Sequence, residues 1–138
     1  MRIREQEVVE AVVCFIDTMG FDHVREFPLL GKVADVYGFR RDLDVSLAVE
    51  CKERDWRRAI RQAVAYQVAA DLVFLAMPAR HVTDNVTREM RCRGIGVISV
   101  GQDGATVVVV PARSGTYLIQ AVREKAIARF EAAAGVVV

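Results

Sequence analysis

This 138-residue chain lacks the features of a membrane, disulfide-rich or zinc-binding protein. Its uncharged apolar runs are far shorter than the roughly 20 residues that span a bilayer. Its three cysteines show neither pairing nor metal-ligand spacing, and its two histidines are isolated, which argues against a disulfide scaffold and a zinc site. The net charge is only +1, so a nucleic-acid partner would need a local basic surface. The charged N-terminus has no signal-peptide pattern, and we expect a cytoplasmic protein with no membrane partner.

Apolar periodicity predicts one domain, residues 1–138, in which helices and strands alternate. The predicted helices are 4–19, 56–70, 83–93 and 115–134, and the predicted strands are 21–30, 33–39, 45–52, 72–77, 95–100 and 106–110. The run 72–77 is continuously apolar, which is typical of a strand covered on both faces and parallel to its neighbour. Three meandering strands followed by a crossover helix predict an α/β fold with a mixed sheet flanked by helices.

The third predicted strand ends in a charged tripeptide, Glu50-Cys51-Lys52. Side chains two apart on a strand share a face, so Glu50 and Lys52 are expected to point together, about 7 Å apart, with Cys51 toward the core. Asp35 lies in the preceding apolar stretch and would lie beside Glu50 if the two strands pair. Two carboxylates and a lysine that converge predict a metal-dependent hydrolytic site, with Asp35, Glu50 and the Cys51 backbone carbonyl as ligands. Lys52 would either activate the attacking water or stabilise the charged transition state.

The helix predicted over 56–70 carries further candidates for the same site. Four cationic residues at or near its start are candidates to hold a DNA backbone: Arg54, Arg57, Arg58 and Arg61. A solvated helix face would look the same, so both interpretations stay open. Gln62 and Tyr66 are four apart and share a face. Their polar groups need partners, which either the site or the helix itself would supply.

Asp35 followed by Glu50-x-Lys52, between an N-terminal helix and an apolar crossover helix, resembles the PD-(D/E)XK nuclease superfamily. Gln62 and Tyr66 resemble the Gln-xxx-Tyr motif of its RecB-like branch; a Holliday-junction-resolvase-like branch is also considered. The resemblance implies a restriction endonuclease-like core (αβββαβ), followed here by a C-terminal helix–hairpin–helix extension. It further implies a deoxyribonuclease that depends on Mg²⁺ or Mn²⁺ and uses no small-molecule cofactor. Asp35, Glu50 and Lys52 would be catalytic, with Gln62 and Tyr66 as accessory residues.

The superfamily often adds a glutamate from its first helix to the metal site. Glu5 is our candidate, ahead of Glu7 and Glu10, because it continues the phase of the apolar residues on that helix. We expect a homodimer, since duplex DNA presents two strands. The valine run 107–110 predicts a strand that is either buried or part of an interface.

Two alternatives remain open at this stage. In the first, the chain is a catalytically inactive nuclease-fold module that binds nucleic acid or a protein partner. In the second, it is an α/β domain in which the Glu-x-Lys triplet is accidental. Geometry distinguishes the accidental case, because only a real site brings the carboxylates of Asp35 and Glu50 together.

Overall fold

The computed structural model describes residues 2–115 and 117–135. Their helices are α1 (Glu5–Thr18), α2 (Trp56–Tyr66), α3 (Asp84–Arg93) and α4 (Gln120–Ala133). Their strands are β1 (Asp22–Leu29), β2 (Lys32–Arg40), β3 (Val45–Cys51), β4 (Leu72–Pro78), β5 (Gly96–Val100) and β6 (Thr106–Val110). A single turn of 3-10 helix, Ala79–His81, follows β4. None of these helices is both long and apolar enough to cross a bilayer.

The six strands form one mixed sheet in the order of the chain, β1 to β6. The first three pair as an antiparallel meander, β3, β4 and β5 run parallel, and β6 returns antiparallel to β5. The α/β class and the mixed sheet flanked by helices are therefore confirmed. The β5–β6 hairpin, which lies between α3 and α4 in the chain, extends this same sheet.

Helices cover both faces of the sheet. On one face, α1 packs its apolar stripe, including Val8, Val12 and Ile16, against the β2–β5 side chains. On the other face, α2, α3 and α4 enclose a larger core that contains Phe27 and Tyr37. Because β3 and β4 are covered on both faces, a polar side chain that points inward from either strand is removed from water.

Two predicted helix ends differ from the structure by more than one residue. The helix predicted over 56–70 ends at Tyr66, and the chain then turns so that Gln67 can donate its side-chain amide to the Arg93 carbonyl at 2.8 Å. The helix predicted to begin at residue 115 begins at Gln120. The preceding Ile119 is extended, and its N–H donates to the Val68 carbonyl at 2.9 Å. Both ends are set by contacts between segments far apart in sequence.

A candidate metal site at the carboxyl end of β3

Asp35 lies where the pairing between β1 and β2 is interrupted. Its neighbours Ala34 and Val36 both pair with β1, but Asp35 forms no ladder pair with Glu26 opposite it. Glu26 has a φ of 51°, in the left-handed region that is uncommon for residues other than glycine. The Asp35 carboxylate instead accepts the backbone N–H of Cys51 at 2.7 Å. This bond holds the carboxylate across the end of β3.

Glu50 is buried near the end of β3, with 2% of its surface exposed. The hydroxyl of Tyr66, on α2, donates to its Oε1 at 3.2 Å. The neighbouring side chains Val49 and Cys51 point to the other face and pack in the core under α1. A carboxylate has about four lone-pair positions, so one hydroxyl donor leaves acceptor capacity for a further ligand.

The carboxylates of Asp35 and Glu50 lie close enough to change each other's protonation. Burial, and then the charge of Asp35, raise the pKa of Glu50 to about 7. Burial also raises the pKa of Asp35, while the Cys51 N–H, the charge of Lys52 and a hydrogen bond with the Glu50 side chain oppose that rise. The structure thus brings these two side chains together, and the protonation of each depends on the charge of the other.

Lys52 follows the last residue of β3 and lies at the rim of this pair. Its ammonium group is 3.9 Å from Oε1 of Glu5. Its positive charge lowers the pKa of both Asp35 and Glu50, but in the described part of the chain it forms no ion pair with either. The two carboxylates therefore meet as predicted, whereas Lys52 affects their pKa values through its charge.

Gln62 and Tyr66 form a polar relay on the face of α2 that packs against the sheet. The Gln62 side chain hydrogen-bonds the Tyr66 hydroxyl, and that hydroxyl donates to Glu50. Burial, and then the charge of Glu50, raise the pKa of Tyr66, which keeps it a neutral donor. Ala59 and Ala63 on the same helix are fully buried, and their small size lets α2 approach the sheet closely. For Tyr66, the structure contains the contact with Glu50, whereas for Gln62 it contains a contact with a neighbour on the same helix.

The glutamates of α1 do not complete a cluster of three carboxylates. Glu5 contacts Lys52, Glu7 accepts the Arg4 backbone N–H, and Glu10 pairs with Arg25. Within residues 2–115 and 117–135, no group of three or more His, Cys, Asp and Glu side chains could hold a metal ion. A cation at this site would therefore use two carboxylates, with backbone carbonyl or water oxygens as its other ligands.

The arginines proposed to contact DNA lie on the surface at the start of α2, and all four are exposed: Arg54, Arg57, Arg58 and Arg61. Arg57 stacks over the Trp56 ring at 4.6 Å, and Arg58 lies 3.9 Å from Asp55. In the described part of the chain, Arg54 and Arg61 form no ion pair. Their positive charge faces solvent, and DNA contact stays a prediction.

Glu26 is an acidic neighbour of the site that sequence reasoning did not single out. Its negative charge raises the pKa of Asp35. The spacing of apolar residues around Glu26 indicates an interruption in the strand. Val24 and Phe27 pack toward the same core although they are three residues apart on one strand, which requires a break in the alternation between them. Arg25 and Glu26 fill that break.

Comparison with known proteins bears on the fold and does not indicate an activity. No protein-family model matches the sequence, and no curated protein matches it significantly. Among solved structures, a protein of unknown function from Silicibacter pomeroyi is similar, with a TM-score of 0.75. The two chains are 21% identical, and the match covers 96% of this chain and 87% of that one. The likeness shows a shared fold across nearly the whole chain.

Proposed function

We propose that this protein is a metal-dependent nuclease that hydrolyses phosphodiester bonds in DNA. The observation that carries the proposal is the pair of carboxylates at the end of β3, where Glu50 is buried beside Asp35 and has its pKa raised to about 7. Burying two like charges side by side is unfavourable. Proteins tolerate such pairs chiefly where they bind cations or exchange protons during catalysis.

The arrangement of the elements supports the same proposal. The order α1, β1, β2, β3, α2, β4 corresponds to the αβββαβ core of the PD-(D/E)XK superfamily. In the proposed site, Asp35 comes from β2, Glu50 from β3, and the accessory Gln62 and Tyr66 from α2. These are the elements on which the superfamily motifs would lie.

The residues present fit a hard divalent cation such as Mg²⁺ or Mn²⁺. Carboxylate oxygens are the ligands that such ions prefer, and a positive ion would offset the burial and the repulsion by Asp35 that raise the pKa of Glu50. Asp35, Glu50 and the backbone carbonyl of Cys51 are the groups that would hold it. When bound, such an ion activates water and neutralises charge on a phosphate.

The chain's own residues position the acids and supply positive charge around them. The Cys51 N–H orients Asp35, and the Tyr66 hydroxyl orients Glu50. The 3.9 Å contact of Lys52 with the exposed Glu5 is a surface ion pair, which contributes about 0–1 kcal/mol. Lys52 can therefore leave Glu5 at little cost to orient the attacking water or to stabilise the charged transition state.

A catalytically inactive nuclease-fold module is the second candidate, and one observation favours it. The ammonium of Lys52 contacts Glu5 and makes no direct contact with Asp35 or Glu50. If this arrangement persists when nucleic acid binds, the protein would bind without cleaving.

Cleavage of labelled linear duplex, single-stranded and four-way-junction DNA in Mg²⁺ or Mn²⁺ tests the proposal. We expect cleavage of at least one substrate, inhibition by EDTA, and a loss of at least about 100-fold in both Glu50→Gln and Lys52→Ala. Lys125→Ala, which removes an exposed lysine from α4, is the matched control and should keep full activity.

The outcomes separate the two candidates. DNA binding without cleavage by the folded wild-type protein would select the inactive module. Full activity in Glu50→Gln or Lys52→Ala would remove the proposed site from the reaction.

The arginines at the start of α2 are tested by the salt dependence of DNA binding. For a duplex, each arginine that no longer binds a phosphate should reduce the slope of log K against log salt by about 0.9. We expect Arg57→Ala with Arg61→Ala to weaken binding and flatten this slope, whereas Arg129→Ala on the surface of α4 should change neither. Unchanged binding by the double variant would assign these arginines to a solvated helix face.

A further inference from the structure

A cleft of about 450 Å³ lies between α2 and α3, close to the candidate metal site. Its walls combine an aromatic ring, an aliphatic side chain, an amide and charged groups: Trp56, Ile60, Asn85, Arg57, Glu89 and Arg93. This size and mixed lining are typical of a pocket for a small ligand. Trp56 begins α2 four residues after Lys52, so the Cα atoms of these two residues are at most about 14 Å apart.

The indole ring of Trp56 is held by the core and has a face directed outward. It is half-buried and packs against the core cluster on the α2 side of the sheet. The guanidinium of Arg57 covers the ring at 4.6 Å from its centroid. Because Arg57 is exposed and forms no ion pair in the described part of the chain, it can leave the ring without breaking a salt bridge. A nucleic-acid base can stack in its place.

The charge around this cleft suits a phosphate backbone. On α2 and α3, arginines outnumber acids: Arg57, Arg58, Arg61, Arg88, Arg91 and Arg93 against Asp84 and Glu89. A groove of similar size beside α1, about 470 Å³, is instead lined by the acids Glu7, Glu10 and Asp103. An anionic strand is therefore attracted to the first groove and repelled by the second.

We propose that the cleft between α2 and α3 binds an unpaired nucleotide of a DNA strand, with its base stacked on Trp56. The base displaces the Arg57 guanidinium, which then contacts a neighbouring phosphate. In a continuous duplex the bases stack on one another and cannot enter the cleft, so single-stranded DNA is the preferred form. The choice of DNA rests on the proposed function, and the cleft adds the form of the substrate.

Intrinsic fluorescence tests the stacking directly, because Trp56 is the single tryptophan of the chain. The wild type in EDTA, and Lys52→Ala in Mg²⁺, are titrated with a single-stranded oligothymidylate and with a blunt-ended linear duplex. We expect saturable quenching by the single strand and little by the duplex. An absence of quenching by the single strand under both conditions, or equal quenching by the duplex, would overturn the proposal.

Variants of the ring give a second test, with binding of a labelled oligothymidylate measured by anisotropy. Trp56→Ala should weaken this binding at least about fivefold, the effect of losing one base–aromatic stack, whereas Trp56→Phe should keep most of it. Phe21→Ala, which removes a half-buried aromatic ring beside α1, is the matched control and should bind as the wild type does. Circular dichroism checks that each variant is folded.

These measurements follow binding, so their result is separate from that of the cleavage assay. Quenching by the single strand without cleavage of any DNA would retain the nucleotide cleft and reject the nuclease. Cleavage by a protein whose Trp56→Ala variant binds the single strand as tightly as the wild type would retain the nuclease and reject the cleft.

Discussion

The two ends of β3 bury charge in opposite ways. At the amino end, Arg123 of α4 donates to both carboxylate oxygens of Asp71 at 2.9–3.0 Å. Asp71 also accepts the backbone N–H and the hydroxyl of Ser46 at 2.7 and 3.0 Å. At the carboxyl end, Glu50 lies beside Asp35, and in the described part of the chain no lysine or arginine forms an ion pair with either.

The protonation behaviour of the two ends follows from this difference. Hydrogen bonds with Asp71 raise the pKa of Arg123, so that end favours its charged form. Burial and mutual repulsion raise the pKa of Glu50 to about 7, so the other end disfavours its charged form. At the amino end, the contacts of Asp71 with Arg123 and Ser46, which we call the clamp, thus stabilise buried charge. At the carboxyl end, the negative charge of Asp35 and Glu50 has no cationic ion-pair partner in the described part of the chain.

The clamp predicts the largest change in stability. Arg123→Met removes the buried positive partner of the half-buried Asp71 carboxylate, which costs about 3–5 kcal/mol in the free energy of unfolding. Urea denaturation measures this change. Arg129→Met, on the exposed surface of the same helix, should change stability by less than about 0.5 kcal/mol. Similar values for the two variants would show that the clamp does not stabilise the fold.

The carboxylate pair predicts a change of the opposite sign. In EDTA at pH 8, Glu50→Gln removes a buried negative charge and supplies an amide that can donate to Asp35, so stability should rise by on the order of 1–3 kcal/mol. The same denaturation experiment measures it. Glu10→Gln, at an exposed carboxylate paired with Arg25, should bring no gain. A loss of stability in Glu50→Gln would contradict the account of uncompensated charge.

The same pair predicts the pH dependence of stability. Because folding raises the pKa of Glu50 from 4.5 to about 7, its contribution to stability is fully present below pH 4.5 and is lost as the pH rises through 7. The advantage of Glu50→Gln over the wild type should therefore grow between pH 4.5 and 7 and then level off. Denaturation midpoints of both proteins across this range measure it, and a constant difference would contradict the shifted pKa.

The smallest effect is expected from replacing Tyr66, which should shift the pH dependence of stability. Its hydroxyl hydrogen bond lowers the pKa of Glu50, so Tyr66→Phe should move the midpoint of that pH dependence upward by about half to one pH unit. The denaturation series that defines the Glu50 titration reports this shift. Tyr37→Phe, at another buried tyrosine, is the control and should leave the midpoint unchanged. A downward shift would mean that Tyr66 does not donate to the ionised carboxylate.

Local patterns were enough to predict the order of the elements and the meeting of Asp35 with Glu50. Alternation fixed the face of Glu50, and strand pairing brought β2 beside β3. The position of Lys52 could not be predicted in the same way, because β3 ends at Cys51 and alternation no longer holds beyond it. The ammonium of Lys52 is instead placed by Glu5, from a helix 47 residues earlier in the chain.

Interactions between distant segments account for the other omissions. The clamp joins Asp71 to Arg123, which are 52 residues apart, and neither stands out in the sequence. The left-handed φ of Glu26 depends on how β1 and β2 pair around Asp35. Periodicity reports which face a residue occupies, whereas these contacts depend on how complete elements pack.

The most direct test of the central claim is thermal unfolding of the protein titrated with Mn²⁺. A cation that binds only the folded state raises Tm with concentration. We predict a saturable rise for the wild type, at concentrations at which Glu50→Gln and Asp35→Asn show none and the control Glu10→Gln responds as the wild type does. An unchanged Tm for the wild type, or an equal rise in Glu50→Gln, would show that this pair of carboxylates is not a metal site.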